Sequence, residues 1–105
     1  MAFTGDEAEK FPLDTAAEWT RNYRNSVPSG SIKGHFFGRN ILLDILNQEG
    51  CLGIRFYYAL DEEGVKQLIA VGATAEENDQ YNLTIAEKSR PCPPFCDNNA
   101  SPLNS

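Results

Sequence analysis

The stretch CLGIRFYYALDEEGVKQLIAVGA, residues 51–73, decides the fold. Residues 51–60 alternate strictly, with Leu52, Ile54, Phe56, Tyr58 and Leu60 on one face, which is the pattern of a half-buried strand. Asp61-Glu62-Glu63-Gly64 reads as a four-residue turn, with Gly where a left-handed backbone is wanted, and residues 65–73 return as the second strand. With Leu60 opposite Val65, the pairs Tyr58–Gln67, Phe56–Ile69, Ile54–Val71 and Leu52–Ala73 share one largely apolar face. The opposite face holds Ala59–Lys66, Tyr57–Leu68, Arg55–Ala70 and Gly53–Gly72. Two facing glycines would leave a strip bare of side chains, open to another backbone or a flat ligand.

On the C-terminal side, residues 81–87 alternate well enough for a third strand antiparallel to the second. Residues 74–80 between them read as an acidic, solvated turn without the ligand spacing of an EF-hand. The segment RPCPPFC, residues 90–96, excludes regular helix and central strand, since its three prolines donate no amide hydrogen bonds. It is expected to dock on the Gly53–Gly72 strip with Phe95 as its anchor.

On the N-terminal side, residues 38–48 carry a second helix with Gly50 as C-terminal cap. Ile41, Leu42, Leu43, Ile45 and Leu46 cover about twice the arc that a helix lying on one sheet requires, so Leu43 is expected to face a partner. A short extended piece at residues 32–37 precedes it. The first helix begins at a capping box, Thr15 with Glu18 three positions on, and its apolar face is Ala16, Trp19, Thr20, Tyr23 and Val27. Residues 28–31, Pro-Ser-Gly-Ser, end it.

These readings give an α+β chain: a small antiparallel sheet of three or four strands, two N-terminal helices packed on one face, and a Pro/Cys-rich C-terminal tail. Residues 1–12 are expected as a flexible acidic arm, 13–90 as one domain and 91–105 as the tail. The length of 105 residues, 41% hydrophobic and 23% charged, is that of an ordinary globular domain.

Nine Lys and Arg against fifteen Asp and Glu leave a net charge of −6, which disfavours nucleic acid and anionic membrane as partners. The longest unbroken apolar run is residues 56–60, far short of a membrane span. Three cysteines, an odd number, fit a reducing compartment better than a disulfide scaffold, so a cytoplasmic location is expected.

Four side chains offer chemistry. His35, Cys51, Cys92 and Cys96 have the composition of a Cys3His zinc set, although only the C-x3-C pair has ligand spacing. A thiol-exchange role is the related option, yet the exchange motifs place two residues between the cysteines, at a helix start. If residues 92–96 stayed in polyproline II the cysteines would lie about 12 Å apart, too far to bridge, and only a turn at Pro94-Phe95 brings them together. Otherwise they are free thiols in a rigid tail. The glycines of residues 33–40 lack P-loop or dinucleotide spacing. No residue is assigned a catalytic role, and no cofactor other than the zinc option is expected.

In combination, HFFG (35–38), GIRFYYALDEEG (53–64) and RPCPPFC (90–96) resemble a family of short uncharacterised bacterial proteins, mainly from Bacteroidetes. The likeness spans most of residues 12–100. It implies a bacterial cytoplasmic setting and carries no activity. The leading expectation is therefore a small non-catalytic interaction module that self-associates or binds another protein, with Leu43, Gly53, Arg55, Tyr57, Leu68, Gly72 and Phe95 as its binding surface. The alternative is a thiol-redox or zinc protein built on His35, Cys51, Cys92 and Cys96.

Overall fold

A computed structural model describes residues 2–104. The chain is α+β, with elements in the order α1 (Leu13–Ser26), β1 (Gly34–Phe36), α2 (Arg39–Leu46), β2 (Gly53–Leu60), β3 (Lys66–Ala73), β4 (Ile85–Ala86) and β5 (Arg90–Cys92). The strands form a three-stranded antiparallel sheet, β2-β3-β4, and a two-stranded antiparallel ribbon, β1-β5. Two compact units result: one takes the residues up to Ala8 and Phe37–Ser89, the other Glu9–Phe36 and the residues from Arg90 onward.

The hairpin of the first unit pairs Leu60 with Lys66, Tyr58 with Leu68, Phe56 with Ala70 and Ile54 with Gly72. This is one residue out of the register expected from a four-residue turn. The cause is Asp61. Its backbone amide donates to Val65 O (3.0 Å), and its Oδ1 accepts the amides of Glu63 and Val65, each at 2.9 Å. Asp61 thus closes the ladder instead of belonging to the loop, which shrinks to residues 62–64 with Gly64 at φ +80°. A one-residue slip sends every β3 side chain to the opposite face. Leu68 and Ala70 therefore join Ile54, Phe56 and Tyr58, whereas Ile69, Val71 and Ala73 join Arg55 and Tyr57.

The core lies on the Ile54–Phe56 face, under α2. Ile45, with no exposure, packs with Ala70 and Ala86, and Phe37, Ile41, Cys51 and Ile54 close round them. The Phe37 and Phe56 rings lie 5.6 Å apart. An eight-residue helix is about 12 Å long, while an eight-residue strand runs about 26 Å, so α2 covers only part of the face. Tyr58 and Leu60, towards the turn, stay 95% and 70% exposed. On α2 itself the broad apolar arc divides: Ile41 and Ile45 pack on the core, and Leu43 and Leu46 are exposed.

In the second unit, α1 starts at Leu13 behind Pro12, with no side-chain cap, so the Thr15–Glu18 capping box does not form. Its one buried residue is Ala17, and the expected apolar-face residues Trp19 and Tyr23 are exposed. Helix α2 packs on the three-stranded sheet, and α1 belongs to the ribbon's unit. Pro91 can sit in a strand because both strands of a two-stranded ribbon are edges. Among the described residues, no helix is long and apolar enough to cross a membrane.

Candidate functional site

The expected site residues divide between the two units. On the three-stranded sheet, Gly53 pairs with Ala73 and Gly72 with Ile54, so the glycines do not face each other and the bare strip does not exist. Gly72 is covered from within the unit. A Cβ there would collide with Gln80 Oε1 and crowd Cys51 Sγ and Gln48 Nε2. Those groups form a polar staple over the strand: Gln48 Nε2 donates to Gln80 Oε1 (2.9 Å), Gln80 Nε2 to Glu49 O (2.8 Å) and the Thr84 amide to Gln48 Oε1 (3.0 Å). Leu68 is half-buried opposite Tyr58, on the α2 face, and not beside Tyr57.

Arg55 and Tyr57 do share a face, and the acidic turn reaches over it. Asp79 accepts from Arg55 Nη1 through Oδ1 and from the Tyr57 hydroxyl through Oδ2, both at 2.5 Å. Arg55 also donates to Glu77 O (3.2 Å) and lies 5.4 Å from the Phe3 ring centroid. Phe3 is tied to the same loop through its amide, which donates to Ala75 O (2.8 Å). Val71 and Ala73 are buried on this face. The second face of the sheet thus carries the chain's own residues 3 and 74–80 around Arg55 and Tyr57, and the facing pair of glycines on which docking of RPCPPFC was expected is not formed.

Charge sharing perturbs all three polar groups. The Tyr57 hydroxyl and then Arg55 hold the Asp79 carboxyl below the ordinary carboxylate range, the hydrogen bond to Asp79 raises Tyr57, and the same carboxylate raises Arg55. The sign follows from linkage. A raised tyrosine contributes fully below its unfolded value of about 10 and is lost as pH climbs through the folded value; a depressed carboxylate contributes above about 4 and is lost as pH falls through its folded value. The contact therefore operates across the neutral range. In an alkaline titration followed at the phenolate absorbance, Tyr57→Phe should remove an ionisation step above pH 10, and Asp79→Asn should move that step down. An unchanged titration in Asp79→Asn would show that the contact does not form.

In the second unit, Arg90–Cys92 pairs with Gly34–Phe36, placing His35 opposite Pro91 and Gly34 opposite Cys92. The chain then turns, with the Phe95 amide donating to Pro91 O (2.9 Å) and Cys96 to Pro94 O (3.0 Å). The turn brings Cys92 and Cys96 to a Cα separation of 4.8 Å, and they form a disulfide. Phe95 stays exposed, with the Arg90 guanidinium 5.9 Å from its ring centroid. Burial lowers the His35 imidazole, favouring its neutral form. Cys51 is the free cysteine, half-buried against the α2 core, with its thiol donating to Gly53 O.

The four expected zinc ligands are therefore not assembled. Bridged sulfurs are not thiolate ligands, and among the described residues no group of three His, Cys, Asp or Glu side chains is placed to hold a metal ion. The reading of free thiols in the tail likewise gives way to a bridge for Cys92 and Cys96. The residues that organise the sheet's surroundings, Phe3, Gln48, Asp79 and Gln80, carry no sequence signal of their role, because their side-chain partners, Arg55 for Phe3 and Asp79 and each other for Gln48 and Gln80, are distant in the chain.

What remains open on the first unit is its outer edge. β2 has β3 on one side and, among the described residues, no strand on the other. Its pairing with β3 is continuous from Gly53 to Leu60, and Arg55 is its one charged residue. Compared with family models, curated proteins and solved structures, the chain shows no match.

Proposed function

We propose that this chain is a small, non-catalytic interaction module that self-associates. The observation carrying this reading is the run of exposed apolar side chains on one face of β2, Phe56, Tyr58 and Leu60; contiguous exposure of this kind marks interaction surfaces. A net charge of −6 points to protein rather than nucleic acid or anionic lipid as the partner. Sedimentation equilibrium over a wide concentration range tests it. The expected mass is a multiple of 11.6 kDa, and a chain that stays monomeric at the highest concentration overturns the reading.

The bridge favours a second reading, thiol–disulfide exchange at Cys92 and Cys96. It also bears on the cytoplasmic bacterial setting that we propose, since reducing compartments keep such pairs open. Alkylation in freshly lysed cells, before and after reductant, should label three thiols without reductant if the protein is cytoplasmic. One thiol before and three after would place it in an oxidising compartment. A pair that stays fully oxidised in the presence of reduced thioredoxin would exclude the exchange role.

A further inference from the structure

We infer that the partner on the first unit is a second copy of this chain, joined through the outer edge of β2 on a two-fold axis passing at Tyr57. The inference rests on the self-association reading and assigns its surface. An unpaired strand edge presents a row of free amides and carbonyls, and proteins that must keep such an edge apart use lysine, proline, a bulge or a very short strand. None of these is present in Gly53–Leu60, which is eight residues long, continuously paired to β3 and charged only at Arg55. That charge is already engaged by Asp79.

The edge is complementary to itself. A two-fold axis perpendicular to the sheet keeps each residue on its own face and requires antiparallel pairs that are both odd or both even in number. Centred on Tyr57, it sets Phe56 against Tyr58 of the other copy, Ile54 against Leu60, and Arg55 against Ala59. Apolar meets apolar on the α2 face, and no two like charges are opposed. The two copies of Arg55 each face alanine, and Asp61, at the end of the strand, falls opposite Gly53. The two α2 helices end on the same side of the joined sheet.

The flanks of the edge have apolar surface to bury: Phe56, Tyr57, Tyr58 and Leu60 are exposed by 46%, 45%, 95% and 70%, and in the joined sheet each gains an apolar side chain of the other copy beside it. The assembly also closes on itself, since the far edge of each sheet is the two-residue β4, too short to template another strand.

The test compares three full-length chains by sedimentation, with circular dichroism as the control for folding. Tyr58 is almost fully solvent-exposed, so Tyr58→Lys leaves the monomer folded while placing a charge in each half of the joined edge. The expected result is a wild-type dimer, a dissociation constant raised about 100-fold or more in Tyr58→Lys, and a dimer retained in Leu43→Glu. Dissociation by Leu43→Glu and not by Tyr58→Lys would overturn the β2 edge and move the interface to α2, with self-association intact. A monomeric wild type would overturn self-association itself. As an independent readout, β2 amides that exchange faster on dilution support the edge, and exchange independent of concentration in a protein that remains dimeric overturns it.

Discussion

Ile45→Ala should lower the stability of the first unit by about 2–5 kcal/mol, the range for removing a buried aliphatic side chain whose surroundings cannot collapse. Ile45 has no solvent exposure and sits between Ala70, Ala86, Phe37, Ile41, Cys51 and Ile54. Two of these neighbours are alanines on paired strands, so no flexible side chain on that side can swing in to fill the space. Against a total of about 5–15 kcal/mol for a domain of this size, the variant should unfold at markedly lower urea and temperature. Phe56→Ala provides the comparison. Phe56 is 46% exposed at the sheet edge, so its loss should cost less than that of Ile45, even though alternation alone marks it as the centre of the apolar face. The opposite ranking would place the core elsewhere.

Ending the chain at Ser89 should abolish the structure of residues 13–36. This truncation removes β5, and with it the pairs of Gly34, His35 and Phe36, the Lys33 amide's bond to Cys92 O (2.7 Å) and the Arg24 guanidinium's bond to Leu103 O (2.7 Å). A three-residue strand has no stability without its partner. Helix α1 is 14 residues long with one buried side chain, and isolated helices of that length are marginal in water. Amide resonances of residues 13–36 should collapse to random-coil positions and helical circular dichroism should fall, while residues of the β2–β3 hairpin keep their dispersion. Retained dispersion in residues 13–36 would show that the C-terminal segment does not hold them.

Local pattern alone determined a good part of this molecule. The 2.0 period of residues 51–60 and the glycine of the turn identify β2 and the hairpin, and the apolar arc of residues 41–46 identifies α2, because each signal lies within one element and needs no knowledge of its neighbours. The prolines of residues 91–94 rule out a central strand for the same reason. The α+β class follows from those elements.

Tertiary structure decided which surfaces meet. Whether Asp61 belongs to the loop or to the ladder depends on its carboxylate capturing the Glu63 and Val65 amides, and that one choice exchanged the two faces of β3. Whether the second face of the sheet is open depends on Asp79 and Phe3, which reach Arg55 from 24 residues later and 52 residues earlier in the chain. Whether Cys92 and Cys96 are thiols or a bridge depends on a turn that Pro91 and Pro94 carbonyls close. Periodicity tells which side chains a strand turns together, but it is silent on what covers them, since loop closure between distant residues is set by the contacts formed at the end of folding and not by the pattern of either segment alone.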